Sequence, residues 1–165
     1  GGGAVTVISS TKDVGALTLT FVAEFAAPVD RVWQVWADPR KLERWWGPPT
    51  WPATFDRYDF KPGGAVRYHM TGPDGTKARG WWAITDIDEP SRLEFDDGFA
   101  GDDGEPVDPE DVGHVVVTLE AAGPGTRMTT VNIFRSAEQM ERLLEMGQEE
   151  GMRQAMGQID AILAG

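Results

Sequence analysis

Few side chains in this sequence have the spacing that catalysis or metal binding requires. His69 and His114 are the only histidines, and two separated imidazoles do not make a zinc site. Strand alternation puts both on outward faces. Cys is absent, which excludes disulfides, thiolate metal sites and thiol nucleophiles. Ser9, Ser10, Ser91 and Ser136 fall in the tail, in a turn and at a helix cap, and none is flanked as a nucleophile would be. Asp96, Asp97, Asp102 and Asp103 lack the acid-x-acid-x-acid-Gly run of a calcium loop. They read as part of a mobile, solvated segment over residues 95–111, where like charges repel and apolar anchors are few. Asp56, read as inward-facing beside Tyr58, is the one acid that burial could turn into a general base. The expectation is no catalytic residue, no metal ligand and no cofactor.

What remains is an inward-facing set suited to a core or to a cavity. Side chains alternate along a strand. With Arg67, Arg79, Thr118, Glu120 and Arg127 in water, the inner faces carry four groups. They are Val66, Tyr68 and Met70; Gly80, Trp82 and Ile84; Val115, Val117 and Leu119; and Met128, Thr130, Asn132 and Phe134. Most are apolar, with polar groups at Tyr68, Thr130 and Asn132. Such a set is either a filled core, its polar atoms meeting backbone, or a ligand cavity with a few orienting hydrogen bonds.

The C-terminal stretch bears on the choice. Gly147, Gly151 and Ala155 recur every fourth residue on one helical face. Each Gly inside a helix costs about 1 kcal/mol relative to Ala. Small residues there either let the helix touch the sheet or leave room for a ligand. Gln148, Glu149, Glu150 and Arg153 exclude a membrane dimer motif. The candidate ligand-binding set is Trp36, Trp46, Tyr58, Tyr68, Trp82, Val117, Leu119, Met128, Thr130, Asn132, Leu144, Gly147, Gly151, Met152 and Ala155.

The elements that must position these residues are legible in outline. Residues 17–25 alternate apolar and polar side chains, a strand with one buried face. Pro28 opens a helix in which Val29, Val32, Trp33 and Trp36 share a face. Asp38-Pro39 starts a second short helix, with Asp38 as N-cap. Strands are predicted over 54–60, 65–70, 77–87, 92–95, 114–121 and 126–134. Gly72-Pro73-Asp74-Gly75 and Gly123-Pro124-Gly125 mark hairpins. Residues 99–113 read as a long acidic loop. Ser136, with Gln139 three residues on, begins a final helix running to about Leu163. The fold class is α+β, a sheet with helices gathered on one side. Residues 1–16 are taken as a flexible N-terminal segment and 17–164 as the one domain.

Charge and hydropathy narrow the partners. The formal net charge is −12, and residues 86–111 hold twelve acids against one base, Arg92. Nucleic acid and anionic membranes require the opposite sign. No apolar run approaches the roughly 18 residues of a membrane span. Residues 1–12 lack a basic start followed by an apolar core, so no signal peptide is expected. These features fit a cytoplasmic protein. Seven Trp and seven Phe supply core or pocket wall.

The motifs also resemble a known family. Ala27-Pro28 with Val32-Trp33 and Asp38-Pro39, then Trp45-Trp46-Gly47-Pro48, Pro62-Gly63-Gly64 and Gly72-Pro73-Asp74-Gly75, form a series. Gly80, Ile84, Ile87, Pro90 and Leu93, and the end from Glu150-Gly151-Met152 to Leu163, continue it. In order and spacing it resembles the START-like (SRPBCC) superfamily, in the branch named for the activator of the heat-shock-protein ATPase. The resemblance implies a helix-grip fold, in which a curved antiparallel sheet of about seven strands wraps a long C-terminal helix. It also implies a cavity, and no common catalytic residues. Superfamily relatives bind lipids, sterols and polyketides, or cyclise aromatic polyketides.

Three functions are open on this reading. The first is binding of a small apolar or aromatic molecule. The second is a cyclase- or hydrolase-like reaction in the same cavity. The third is surface association, as a homodimer or with a chaperone.

Overall fold

Among the described residues, alternating apolar residues and tight turns produce a sheet of eight antiparallel strands. The computed structural model describes residues 6–108 and 110–165. The strands are β1 Ser9–Asp13, β2 Thr18–Phe25, β3 Ala53–Tyr58, β4 Ala65–Thr71, β5 Lys77–Asp88, β6 Arg92–Ala100, β7 Gly113–Ala122 and β8 Gly125–Ile133. Their order across the sheet is β1-β2-β8-β7-β6-β5-β4-β3. The helices are α1 Val29–Ala37, α2 Pro39–Leu42, α3 Ala137–Glu145, α4 Gln148–Met156 and α5 Ile159–Ala164. The curved sheet closing on C-terminal helices is the helix-grip architecture. Among the described residues no helix is long and apolar enough to cross a membrane.

Local rules explain the helix starts. Val32, Trp33, Val35 and Trp36 are the buried face of α1. The Asp38 side chain caps α2 by accepting from the Arg40 N–H, with Pro39 in the first turn. Ser136 caps α3 by accepting from the Gln139 N–H at 3.0 Å, and Gln139 Oε1 accepts from the Arg135 N–H at 2.7 Å. The side chain of Gln139 thus reaches back past the cap, as in a capping box.

Four expectations are corrected. Ser9–Asp13, assigned to a flexible lead, pairs with β2 from Ser9↔Val22 to Asp13↔Thr18, which makes eight strands rather than about seven. The long final helix is three helices. Gly147, at φ +88°, sits between α3 and α4 in the left-handed region that favours Gly, so the chain turns there instead of continuing. The segment 95–111 is not one loop. Strand β6 runs through Ala100, pairing Asp96 with Ala83 and Asp97 with Trp82. The residues that follow fold back, with hydrogen bonds from the Val107 N–H to Phe99 O and from the Gly101 N–H to Glu105 O. Finally, β3 bulges between Phe55 and Arg57. The extra residue turns Asp56 outward to pair with His69 Nδ1 at 2.8 Å, which removes it as a buried base.

The core is aromatic. Trp33, Trp36, Trp45 and Trp82 are all fully buried. Trp82 stacks on Phe95 with ring centroids 4.0 Å apart and meets Trp46 edge-on at 4.9 Å. The indole N–H groups of Trp45 and Trp33 donate to Val35 O and to Glu89 Oε1. The Tyr58 hydroxyl donates to Trp36 O.

Candidate functional site

A cavity of about 290 Å³ opens between the inner face of the sheet and the bend from α3 to α4. Trp46 to Pro48 close one end. Tyr68 and Met70 come from β4, Asp97 to Phe99 from β6, and Gly113 and His114 from β7. Asn132 to Phe134 follow from β8, and Leu143, Met146, Gly147, Gly151, Met152 and Ala155 form the helical side. Phe99, Ile133 and Met146 remain exposed.

Of the fifteen candidate residues, seven line this cavity: Trp46, Tyr68, Asn132, Gly147, Gly151, Met152 and Ala155. The rest are elsewhere. Trp36, Trp82, Val117, Leu119, Met128 and Thr130 are buried in the packed interior, because the indole rings fill the space beneath the central strands. Tyr58 is spent on its bond to Trp36 O. Leu144 faces a separate depression beside Val14 and Met140. Thr130 Oγ1 is buried with no partner among the described residues, and it does not reach the cavity.

Two missing side chains shape the walls. Tyr68 pairs with Gly80 across β4 and β5. A Cβ on Gly80 would lie 2.3 Å from the Tyr68 ring, so the ring occupies the space a side chain would take. That ring is held by Phe55, stacked at 5.2 Å, and by Trp46 and Trp82. Gly80→Ala therefore overpacks the wall, and should cost ~1–3 kcal/mol of unfolding free energy in urea denaturation. A variant as stable as the parent would show that Tyr68 is free to move. The second gap is Gly113, paired with Asp97 across β6 and β7. A Cβ there would fall 2.7 Å from Asp97 Oδ1.

Asp97 lines the cavity and was missed in the sequence. Residues Phe95, Asp97 and Phe99 alternate inward once β6 is extended, but the acids and Gly98 read as loop. Burial pushes its carboxyl up to about 6, the charge of Asp96 adds to this, and His114 opposes it. Its carboxylate has no hydrogen bond or ion pair among the described residues, unlike its neighbours. Asp111 is held by Arg142 at 2.7 Å and by Gln139 at 2.9 Å, and these contacts keep it below its ordinary range. The His114 ring bonds Asp96 at 2.8 Å and Glu94 at 3.0 Å on the outer face. Burial lowers the His114 pKa, but these carboxylates together raise it above its ordinary value. Burial also raises the Tyr68 phenol, as does the charge of Asp97, so it stays protonated. Asn132 Nδ2 donates to Leu19 O at 3.3 Å.

The model of the family described as Activator of Hsp90 ATPase homolog 1-like protein matches residues 26–164. The chain belongs to this family. Its Activator of Hsp90 ATPase homolog 1-like fold is shared by solved structures. A protein from Arthrobacter aurescens, solved by NMR, is 60% identical, with TM-score 0.92 over 96% of this chain and 92% of that one. A crystal structure from Mycobacterium smegmatis is 49% identical, with TM-score 0.87 over 94% of this chain and 96% of that one. The AHSA1 protein from Silicibacter pomeroyi, at 23% identity and TM-score 0.71, covers 89% of this chain and 97% of its own, and shows the fold alone. No curated protein matches the chain.

In this chain Asp97 links the cavity to stability. Its folded pKa lies above its ordinary value of 3.8, so the folded state holds the proton more tightly. Stability from this group is fullest at low pH, falls as pH rises from 3.8 to about 6, and is level above that. The displacement corresponds to at most about 3 kcal/mol. Partial exposure lowers the expected effect to ~1–2 kcal/mol. Asp97→Asn should therefore stabilise the protein by that amount at neutral pH and by nothing at acid pH, in paired urea titrations. Equal effects at both pH values would mean that the carboxylate's charge is not what the fold resists.

Proposed function

We propose that the protein binds a small apolar or aromatic molecule in the cavity between the sheet and the α3–α4 bend. The observation that carries this reading is Gly151. It lies inside α4, and a Cβ built there meets nothing within 4 Å. A helix touching the sheet at that point would show a close contact; an open face leaves space for a guest. The surrounding wall is chiefly aromatic and aliphatic, with a few polar groups, as small-molecule sites are. Phe99, Ile133 and Met146 at the rim would cover the part of a ligand that protrudes.

Catalysis has less support. Asp56, the base considered from the sequence, faces solvent. Family membership is compatible with binding or regulation, and fold alone does not assign chemistry. The experiment is binding of naphthylmethanol by isothermal titration calorimetry to the parent protein and to Gly151→Leu. Loss of binding in a folded variant supports the reading, and equal binding by both overturns it.

A further inference from the structure

We infer that the cavity selects ligands carrying a protonated amine beside an aromatic body, with Asp97 as the group that recognises the cation. This rests on the small-molecule reading of the same cavity. Three independent features carry it. First, the described lining contains no Lys or Arg, and its one imidazole, His114, is already bonded through both ring nitrogens to Asp96 and Glu94, so an anionic ligand would meet no free basic partner. Second, of the two lining acids, Asp111 is already paired with Arg142, whereas Asp97 has no partner among the described residues. Third, the sheet is built around that carboxylate. Gly113 stands opposite Asp97, and a Cβ there would fall within 2.7 Å of Oδ1.

A partly buried carboxylate without a partner raises the free energy of its charged form. A cation arriving beside it offsets that cost, while an anion adds repulsion in a poorly screened site. The aromatic rings of Trp46, Tyr68, Phe99 and Phe134 in the same wall attract a cation through their faces. Shape accepts the apolar body, and charge then separates amines from alcohols and acids of the same outline.

Three probes of one shape test this: naphthylmethylamine, naphthylmethanol and naphthoate, each titrated calorimetrically at neutral pH. The amine should bind about tenfold more tightly than the alcohol, and naphthoate about tenfold more weakly than the alcohol. In Asp97→Asn the ratio of amine to alcohol affinity should fall to near one. The ranking in the parent protein needs no variant, so it tests the charge preference by itself. Equal binding of all three probes, blocked by Gly151→Leu, would overturn the charge inference and leave the cavity reading intact. Binding by none of the three would overturn both. A preference for the amine that persists in Asp97→Asn would overturn the assignment to Asp97.

Discussion

Replacing Gly151 with Leu should abolish binding of an aromatic probe while the chain stays folded. The new side chain would project from α4 into space that no atom now occupies within 4 Å of its Cβ. Gly151 lines the cavity, so the added side chain would take up space that a ligand would occupy. Affinity should fall by about a hundredfold or more, beyond the range of calorimetry for a weak probe. Gly151→Ala provides the control. Gly151 has ordinary helical geometry, and Ala is the better helix former, so this variant should gain ~0.5–1 kcal/mol and still bind. Destabilisation by both changes would mean that the helix face is a packing contact. Gly147 cannot serve for this test. At φ +88° any other residue is strained there, whatever the space around it.

Trp82→Ala should destabilise the protein by ~3–5 kcal/mol, the cost of deleting a large buried aromatic side chain. Trp82 is fully buried and is wedged between Phe95, Trp46 and Phe55, at 4.0, 4.9 and 5.6 Å between ring centroids. A typical domain has ~5–15 kcal/mol in all, so this one change removes a large part of it. Trp82→Phe should cost much less. It keeps the stack, and it removes an indole N–H that is buried without a partner among the described residues. Urea denaturation followed by circular dichroism measures both. A Trp82→Ala loss below ~1 kcal/mol would place this ring on an open cavity wall, where truncation costs little.

The position of Trp82 shows how far the sequence could be read. Alternation put Trp82, Val117, Met128 and Thr130 on the inner face, and each is buried there. Periodicity gives a direction, but it does not say how deep a side chain lies or whether its neighbours reach it. The Trp rings spread sideways and fill the centre of the sheet, which displaces the cavity toward the ends of β4, β6 and β8. Of the inner-face polar groups, Tyr68 and Asn132 line it.

Where the reading failed, a local signal outweighed a longer one. The acids around Asp97 read as solvated loop, yet β6 continues through them because Phe95 and Phe99 keep the strand period on either side. The helix period from Met140 to Ile162 runs through Gly147 unbroken in the sequence. One left-handed backbone angle divides α3 from α4 there, and periodicity carries no record of φ. At Asp56 a single bulged residue reversed the facing of the acid. The elements that repeat several times, the hairpins and α1, were legible; single-residue irregularities were not.

The most direct measurement is a map of where an aromatic probe sits. Titrating isotope-labelled protein with naphthylmethanol, and following backbone amide shifts by NMR, distinguishes cavity from surface. Saturable shifts are expected at Tyr68, Asp97, Gly113, Asn132, Gly151 and Met152, with nuclear Overhauser contacts from the probe to Met152 and Tyr68. Shifts confined to the outer face around His69 and His114, or no saturable shifts at all, would contradict it.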